Sequence, residues 1–173
     1  MKKIIITLLL GIVFGNGVFA QMASAQKITW DLEIGAKVNA SQATVWAYLN
    51  DAKMLKQLSN GYVKSMVKTG ENAPLPVNVH FSNGNKRSET IVQINHAYKF
   101  MSIDINKESL PKGVKNGEFS IFTKDEGNGK SSVKWLAKID GNKQGKQTLM
   151  NLLKAEFEAY KIGFGKIIVS KKN

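Results

Sequence analysis

From Lys27 the chain alternates strictly, with Ile28, Trp30, Leu32 and Ile34 set against Thr29, Asp31 and Glu33. A period of two predicts a half-buried strand over Lys27–Val38 with its even positions inward. The next stretch, NASQATVWAYLNDAKMLKQLSNG, changes to helical spacing: Ser41 is placed to cap a helix carrying Val45, Trp46 and Leu49. Asn50 and Asp51 interrupt it, and Met54, Leu55 and Leu58 predict a second short helix ending at Asn60 and Gly61. Extended patterns then recur at Tyr62–Lys68, Val77–Ser82, Arg87–Asn95, Lys99–Ile105, Glu118–Lys124 and Ser131–Asp140. Turn signals separate most of them, including SNGN at Ser82–Asn85 and DEGNG at Asp125–Gly129, so the sheet should be antiparallel. After Gly141 the residues Leu149, Leu153, Phe157, Tyr160, Phe164 and Ile167 recur every three or four positions, one apolar stripe along a long helix. Gly163 and Gly165 should weaken that helix, by about 1 kcal/mol each relative to alanine.

A sheet with one apolar face needs a cover, and the final helix is the only element long enough to supply it. The expected fold is α+β: about seven strands in a curved antiparallel sheet, two short helices after the first strand, and a long C-terminal helix on the concave face. In that order the chain resembles the helix-grip superfamily called START or SRPBCC, which includes the birch-pollen-allergen-like and polyketide cyclase/dehydrase proteins. The resemblance is carried by VNASQATVWAYLNDAKMLKQL at Val38–Leu58 and by NGNKRSETIVQINHAYKFMSIDI at Asn83–Ile105. It implies a cavity between sheet and helix that holds an apolar or amphipathic small molecule. Where many cyclase-like members carry a Trp-x-Pro-like segment, this chain reads QLSNGYVKSM from Gln57 to Met66.

Local alternation or the helical stripe turns Trp30, Leu32, Phe81, Met101, Ile103, Ile121, Trp135, Phe157, Tyr160 and Phe164 inward. Periodicity alone does not separate a filled core from a hollow one; that these residues line a ligand cavity is what the resemblance implies. Tyr160 is the polar exception on its stripe, since a buried phenol needs a hydrogen-bond partner.

The first 26 residues add a destination. Lys2 and Lys3, an apolar run from Ile4 to Phe14, and small residues at Ala20 and Ala23–Ala25 follow the order of a secretory signal peptide, cleaved after Ala20 or Ala25. The run is about half the ~20 apolar residues of a spanning helix. Residues 1–25 are therefore expected to be a leader and 26–173 a single domain, periplasmic or secreted and soluble after cleavage. A chain that is 43% hydrophobic and 22% charged is ordinary for a globular protein, so disorder is not expected. Without cysteine there is no disulfide, thiolate metal site or cysteine nucleophile.

The formal charge is +12, and without Lys2 and Lys3 the remaining 23 cations against 13 acids leave +10. Such a surface attracts anionic membrane headgroups. All but one of the 23 are dispersed lysines, and nucleic-acid readers add arginine forks and stacked aromatics, so no nucleic-acid partner is expected.

Candidate chemistry gathers in VHFSNGNKRSETIVQINHAYKF, which holds Arg87, the sole arginine, and both histidines, His80 and His96. By alternation His80 faces solvent beside Asn78 and Ser82, and His96 belongs to a turn. No Asp, Glu or Cys set completes a metal-ligand spacing around them, and no metal or cofactor is expected. Arg87 and Glu89 share one face of a strand, opposite Ser88, Thr90 and Val92. On the surface they would form a weak ion pair. Inside, Arg87 would be a polar anchor for a ligand carboxylate or phosphate through its planar fork. Val92 and Ile94, of the other parity, compete for the inside. The chain lacks a Gly-x-Ser-x-Gly elbow, His-Glu-x-x-His, a Walker loop and a dinucleotide fingerprint. The expected function is binding of a hydrophobic or amphipathic, lipid-like small molecule. The alternatives are a cyclase or dehydratase using Arg87, Glu89, His80 or Tyr160, and a non-catalytic envelope interaction module.

Overall fold

The computed structural model describes residues 29–170, so the leader and its two cleavage positions lie outside the described residues. Strand β1 (Leu32–Val38) is followed by helices α1 (Gln42–Asn50) and α2 (Ala52–Leu58). Six strands come next: β2 (Val63–Lys68), β3 (Leu75–Phe81), β4 (Lys86–Asn95), β5 (Phe100–Ile105), β6 (Val114–Gly127) and β7 (Lys130–Gly141). Helix α3 (Lys143–Ser170) closes the chain, and a short 3-10 turn at Lys107–Ser109 links β5 to β6. The strands form one antiparallel sheet in the order β1-β7-β6-β5-β4-β3-β2, with β1 returning to pair beside β7 from Leu32↔Ala137 to Val38↔Ser131. This is the helix-grip architecture read from the sequence pattern.

The local reasons are those of the sequence, with refinements at the helix caps, at β1 and in β4. Ser41 caps α1 by accepting the Thr44 amide at 3.2 Å. Asp51 separates the paired helices because its extended backbone ends α1 while its carboxylate accepts the Lys53 and Met54 amides of α2, at 2.7 and 3.3 Å. Asn142 does the same for α3, accepting the Gly145 amide at 2.8 Å. The first strand spans Leu32–Val38, so Trp30 precedes it and is only half-buried; Lys27 and Ile28, where the expected strand starts, lie outside the described residues. In β4 the register shifts between Ile91 and Gln93. Up to that point the odd residues Arg87, Glu89 and Ile91 are buried; past it Val92 is exposed and Ile94 half-buried. The bulge lets both parities of this strand reach the inside in turn.

The stripe Leu149, Leu153, Phe157, Tyr160 and Phe164 is buried against the sheet, and Trp135 at the middle of β7 is its counterpart. Trp135 lies 6.2 Å from Phe157, 6.4 Å from Tyr160 and 6.1 Å from Phe164, ring centre to ring centre. Gly163 is where α3 touches α2: a β-carbon there would run into the carbonyl oxygen of Leu58. Gly165 faces open space.

Candidate functional site

Beneath α3 the concave face carries three ionisable groups in a dry setting. Arg87 and Glu89 project inward from β4, and Glu156 descends from α3 to meet them; the three are 7, 4 and 2% exposed. The Nε of Arg87 donates to Glu89, and its Nη2 donates to Glu156 Oε2 at 2.6 Å. The guanidinium also lies 5.0 Å from the ring centre of Phe81 and 5.8 Å from that of Phe119, a position that aromatic faces favour for a cation. Glu156 accepts as well from the Tyr160 hydroxyl, which answers the demand of a phenol on an apolar stripe.

Desolvation governs the protonation of this cluster. Burial pushes the Glu89 carboxyl up to about 7; Arg87 opposes that rise and the charge of Glu156 adds to it. Burial works against the charge of Arg87, yet the two carboxylates outweigh it and hold the guanidinium more firmly protonated than usual. Burial, followed by the charges of Glu156 and Glu89, lifts the Tyr160 phenol well above its ordinary range. With both glutamates ionised the triad carries −1, and with Glu89 protonated it is neutral.

A group whose folded pKa lies above its unfolded one supports the fold when protonated. For Glu89 that support is complete below about pH 4.5 and is lost as pH rises through about 7. Thermal unfolding followed from pH 5 to 8 should therefore show wild-type stability falling relative to Glu89→Gln, which keeps the shape and cannot ionise. Parallel curves would mean that water reaches the carboxylate.

Beside the triad lies a cavity of about 50 Å³. Of the ten residues expected to line a cavity, Met101, Ile103, Ile121, Trp135, Phe157 and Tyr160 do so, and Glu89 and Glu156 form its polar wall. Phe81 instead borders a cleft of about 250 Å³ on the other side of Arg87. Phe164 packs on Trp135, and Trp30 and Leu32 are half-buried at the β1 end, apart from both spaces. The half-buried residues Asn50, Leu55, Met66 and Lys68 mark the mouth, where the Lys68 ammonium donates to the Asn50 carbonyl at 3.1 Å. An engineered apolar cavity of about 150 Å³ holds a benzene ring, so this space admits a few waters or the head of a small molecule. An acyl chain would have to displace the side chains at the mouth.

One group on that wall lacks a partner. Trp135 is fully buried, and among the described residues its indole Nε1–H is the buried side-chain polar atom without a hydrogen bond.

A family model described as polyketide cyclase/dehydrase and lipid transport matches residues 28–161, which takes in every side chain of the triad and the cavity. The chain belongs to this family. The similar solved structures show the same fold at low identity. The protein XoxI from Bacillus cereus is 15% identical with a TM-score of 0.69, over 82% of this chain and 97% of that one. Norcoclaurine synthase from Thalictrum flavum, in complex with dopamine and hydroxybenzaldehyde, is 17% identical with a TM-score of 0.61, over 93% and 95%. The di-domain ARO/CYC BexL of the BE-7585A biosynthetic pathway is 9% identical with a TM-score of 0.66, over 80% of this chain and 46% of BexL. No curated protein matches the chain by sequence. Family membership supports a ligand-binding or cyclase/dehydratase fold.

The structure also places the two expected anchor residues, with Glu89 on the cavity wall. Arg87 does face inward, but two of its donor nitrogens are already engaged by carboxylates, and it borders the cleft on the far side of the triad rather than the cavity. Glu156 is the partner missing from the sequence reading, although its spacing from Leu153 and Tyr160 places it on the buried stripe. His80 is exposed, as its parity requires. His96 is exposed in the β4–β5 turn, where its Nδ1 accepts from Trp46 Nε1 at 3.2 Å, so the two histidines do not share a site. Among the described residues no group of His, Asp and Glu is placed to hold a metal.

Proposed function

We propose that the protein is exported and binds a small amphipathic molecule, its apolar part among Ile103, Ile121, Trp135 and Phe157 and its polar part against Glu89 and Glu156. The observation that carries this reading is a cavity lined by Ile103, Ile121, Trp135 and Phe157 together with the two buried glutamates Glu89 and Glu156; Trp135 also holds a buried indole N–H without a partner. A buried donor without a partner is destabilising by about 1–3 kcal/mol, and a bound polar group removes that penalty. Export rests on the leader pattern; among the described residues no helix is long and apolar enough to cross a membrane. The basic surface would keep the protein near anionic headgroups. Burial of the ligand's apolar area supplies about 25 cal/mol per Å² before ordering losses.

The test is native mass spectrometry of the protein isolated from the envelope fraction of its host. A small molecule should be released on denaturation and be missing from a Met66→Trp variant whose mouth is plugged. Protein that carries nothing, and whose melting temperature does not respond to a small-amphiphile library, would overturn the proposal.

A second reading, proton-transfer catalysis of cyclase or dehydratase type, draws on one observation. Glu89 is held at about 7 on the cavity wall, and a general acid or base works best near the ambient pH.

A further inference from the structure

The triad is asymmetric, and its asymmetry specifies the ligand. Both carboxylates, Glu89 and Glu156, border the cavity, whereas their shared cation Arg87 borders the cleft behind them. Each carboxylate has only part of a guanidinium to itself, and the triad sums to −1 when both are ionised. A carboxylate or phosphate entering this cavity would meet two like charges and no free fork. A protonated amine would meet two acceptors, and the aromatic faces of Trp135, Phe157 and Tyr160 tolerate a cation better than an anion. From these placements, and resting on the small-molecule reading above, we infer that the cavity selects a protonated amine with a short apolar body.

Titratable groups from several elements surround Glu89. Arg87 comes from its own strand, Glu156 and Tyr160 from α3, and the Tyr62 phenol from the loop before β2, where it feels both Glu156 and Arg87. Lys68 of β2 stands at the mouth and opposes an incoming cation. It is half-exposed, so water and salt screen it, whereas the carboxylates act in a dry wall where charge interactions are several-fold stronger. The interior term therefore decides. The ligand ammonium completes the neutralisation that Arg87, shared between Glu89 and Glu156, leaves unfinished when both are ionised.

The test uses three probes on one frame, n-butylamine, 1-butanol and butyrate, titrated into the purified protein at pH 8. Binding is followed through the Trp135 indole N–H resonance, assigned by comparison with Trp135→Phe. A charge-assisted hydrogen bond is worth about 1.5–3 kcal/mol, so the amine should bind at least about tenfold more tightly than either analogue. Glu89→Gln should bring amine and alcohol to within about threefold. Should that variant not fold, wild-type calorimetry in two buffers of different ionisation enthalpy at pH 7 replaces it: amine binding should release protons and butanol binding should not. Butanol or butyrate binding as tightly as the amine overturns the amine assignment and leaves the small-molecule reading standing. No response of the indole resonance to any of the three removes both.

Discussion

Arg87→Ala is expected to destabilise the protein by roughly 3–5 kcal/mol, because it strands two buried carboxylates without a counter-charge. At about 2–4 °C per kcal/mol for a domain of this size, the melting temperature should drop by about 6–20 °C near pH 8, and less near pH 5, where Glu89 can take up a proton. The arginine itself is not expected to be a net stabiliser. Replacing the triad together, as Arg87→Met with Glu89→Leu and Glu156→Leu, keeps the volume and removes every desolvation penalty, and should leave stability unchanged or improved. Differential scanning calorimetry of the single and triple variants separates the two statements. If Arg87→Ala melts within a degree or two of wild type at pH 8, the triad is wet and the charge argument for the cavity fails with it. If the triple variant stays folded but no longer shifts with butylamine, the triad is retained for recognition at the expense of stability.

The second large effect is at Gly163. Alanine normally strengthens a helix interior by about 1 kcal/mol over glycine, and Gly163 and Gly165 are two residues apart on the same helix. Gly165→Ala, in open space, should follow that rule and raise stability by up to about 1 kcal/mol. Gly163→Ala should do the reverse, costing about 3 kcal/mol, since the methyl would collide with the Leu58 carbonyl of α2, and a backbone cannot step aside like a flexible side chain. Denaturant titrations of the two variants should move in opposite directions; the same sign for both would mean that α2 and α3 are not in contact in solution.

That pair shows where the sequence was legible and where it was not. Spacing alone identified the long helix, its buried stripe and its two weak points, because periodicity records which face is apolar. It could not say that one glycine is a contact and the other an opening, because that depends on an element more than a hundred residues earlier in the chain. The strand parities followed the same division. In β3 the inward set Leu75, Val77, Val79 and Phe81 is unbroken, so its alternation was decisive and put His80 outside. In β4 a bulge changes the register between Ile91 and Gln93, so Arg87 with Glu89 and Ile94 each had a claim on the interior, and both claims hold on different sides of the bulge. Glu156 was overlooked because a stripe is ordinarily collected from its apolar members; the 4, 3, 4 spacing of Leu149, Leu153, Glu156 and Tyr160 was there to read. The volume of the cavity has no sequence signature, since a tightly filled interior and a hollow one require the same pattern of inward residues.

The pairing of β1 with β7 has a consequence for the order of events as the chain is made. Strands β2 to β7 can zip as successive neighbours, but β1 must wait for a partner that begins at Lys130, and α3, which covers the core, is made last of all. Contacts of such long sequence separation form late and slowly. A nascent chain lacking its last forty-odd residues therefore has an unpaired first strand and an uncovered apolar face, and it cannot become the native domain. Under the export proposed above, a chain threaded through a membrane channel in extended form would gain from that delay: the residues that complete the fold are among the last to be made, so early folding would not block transit.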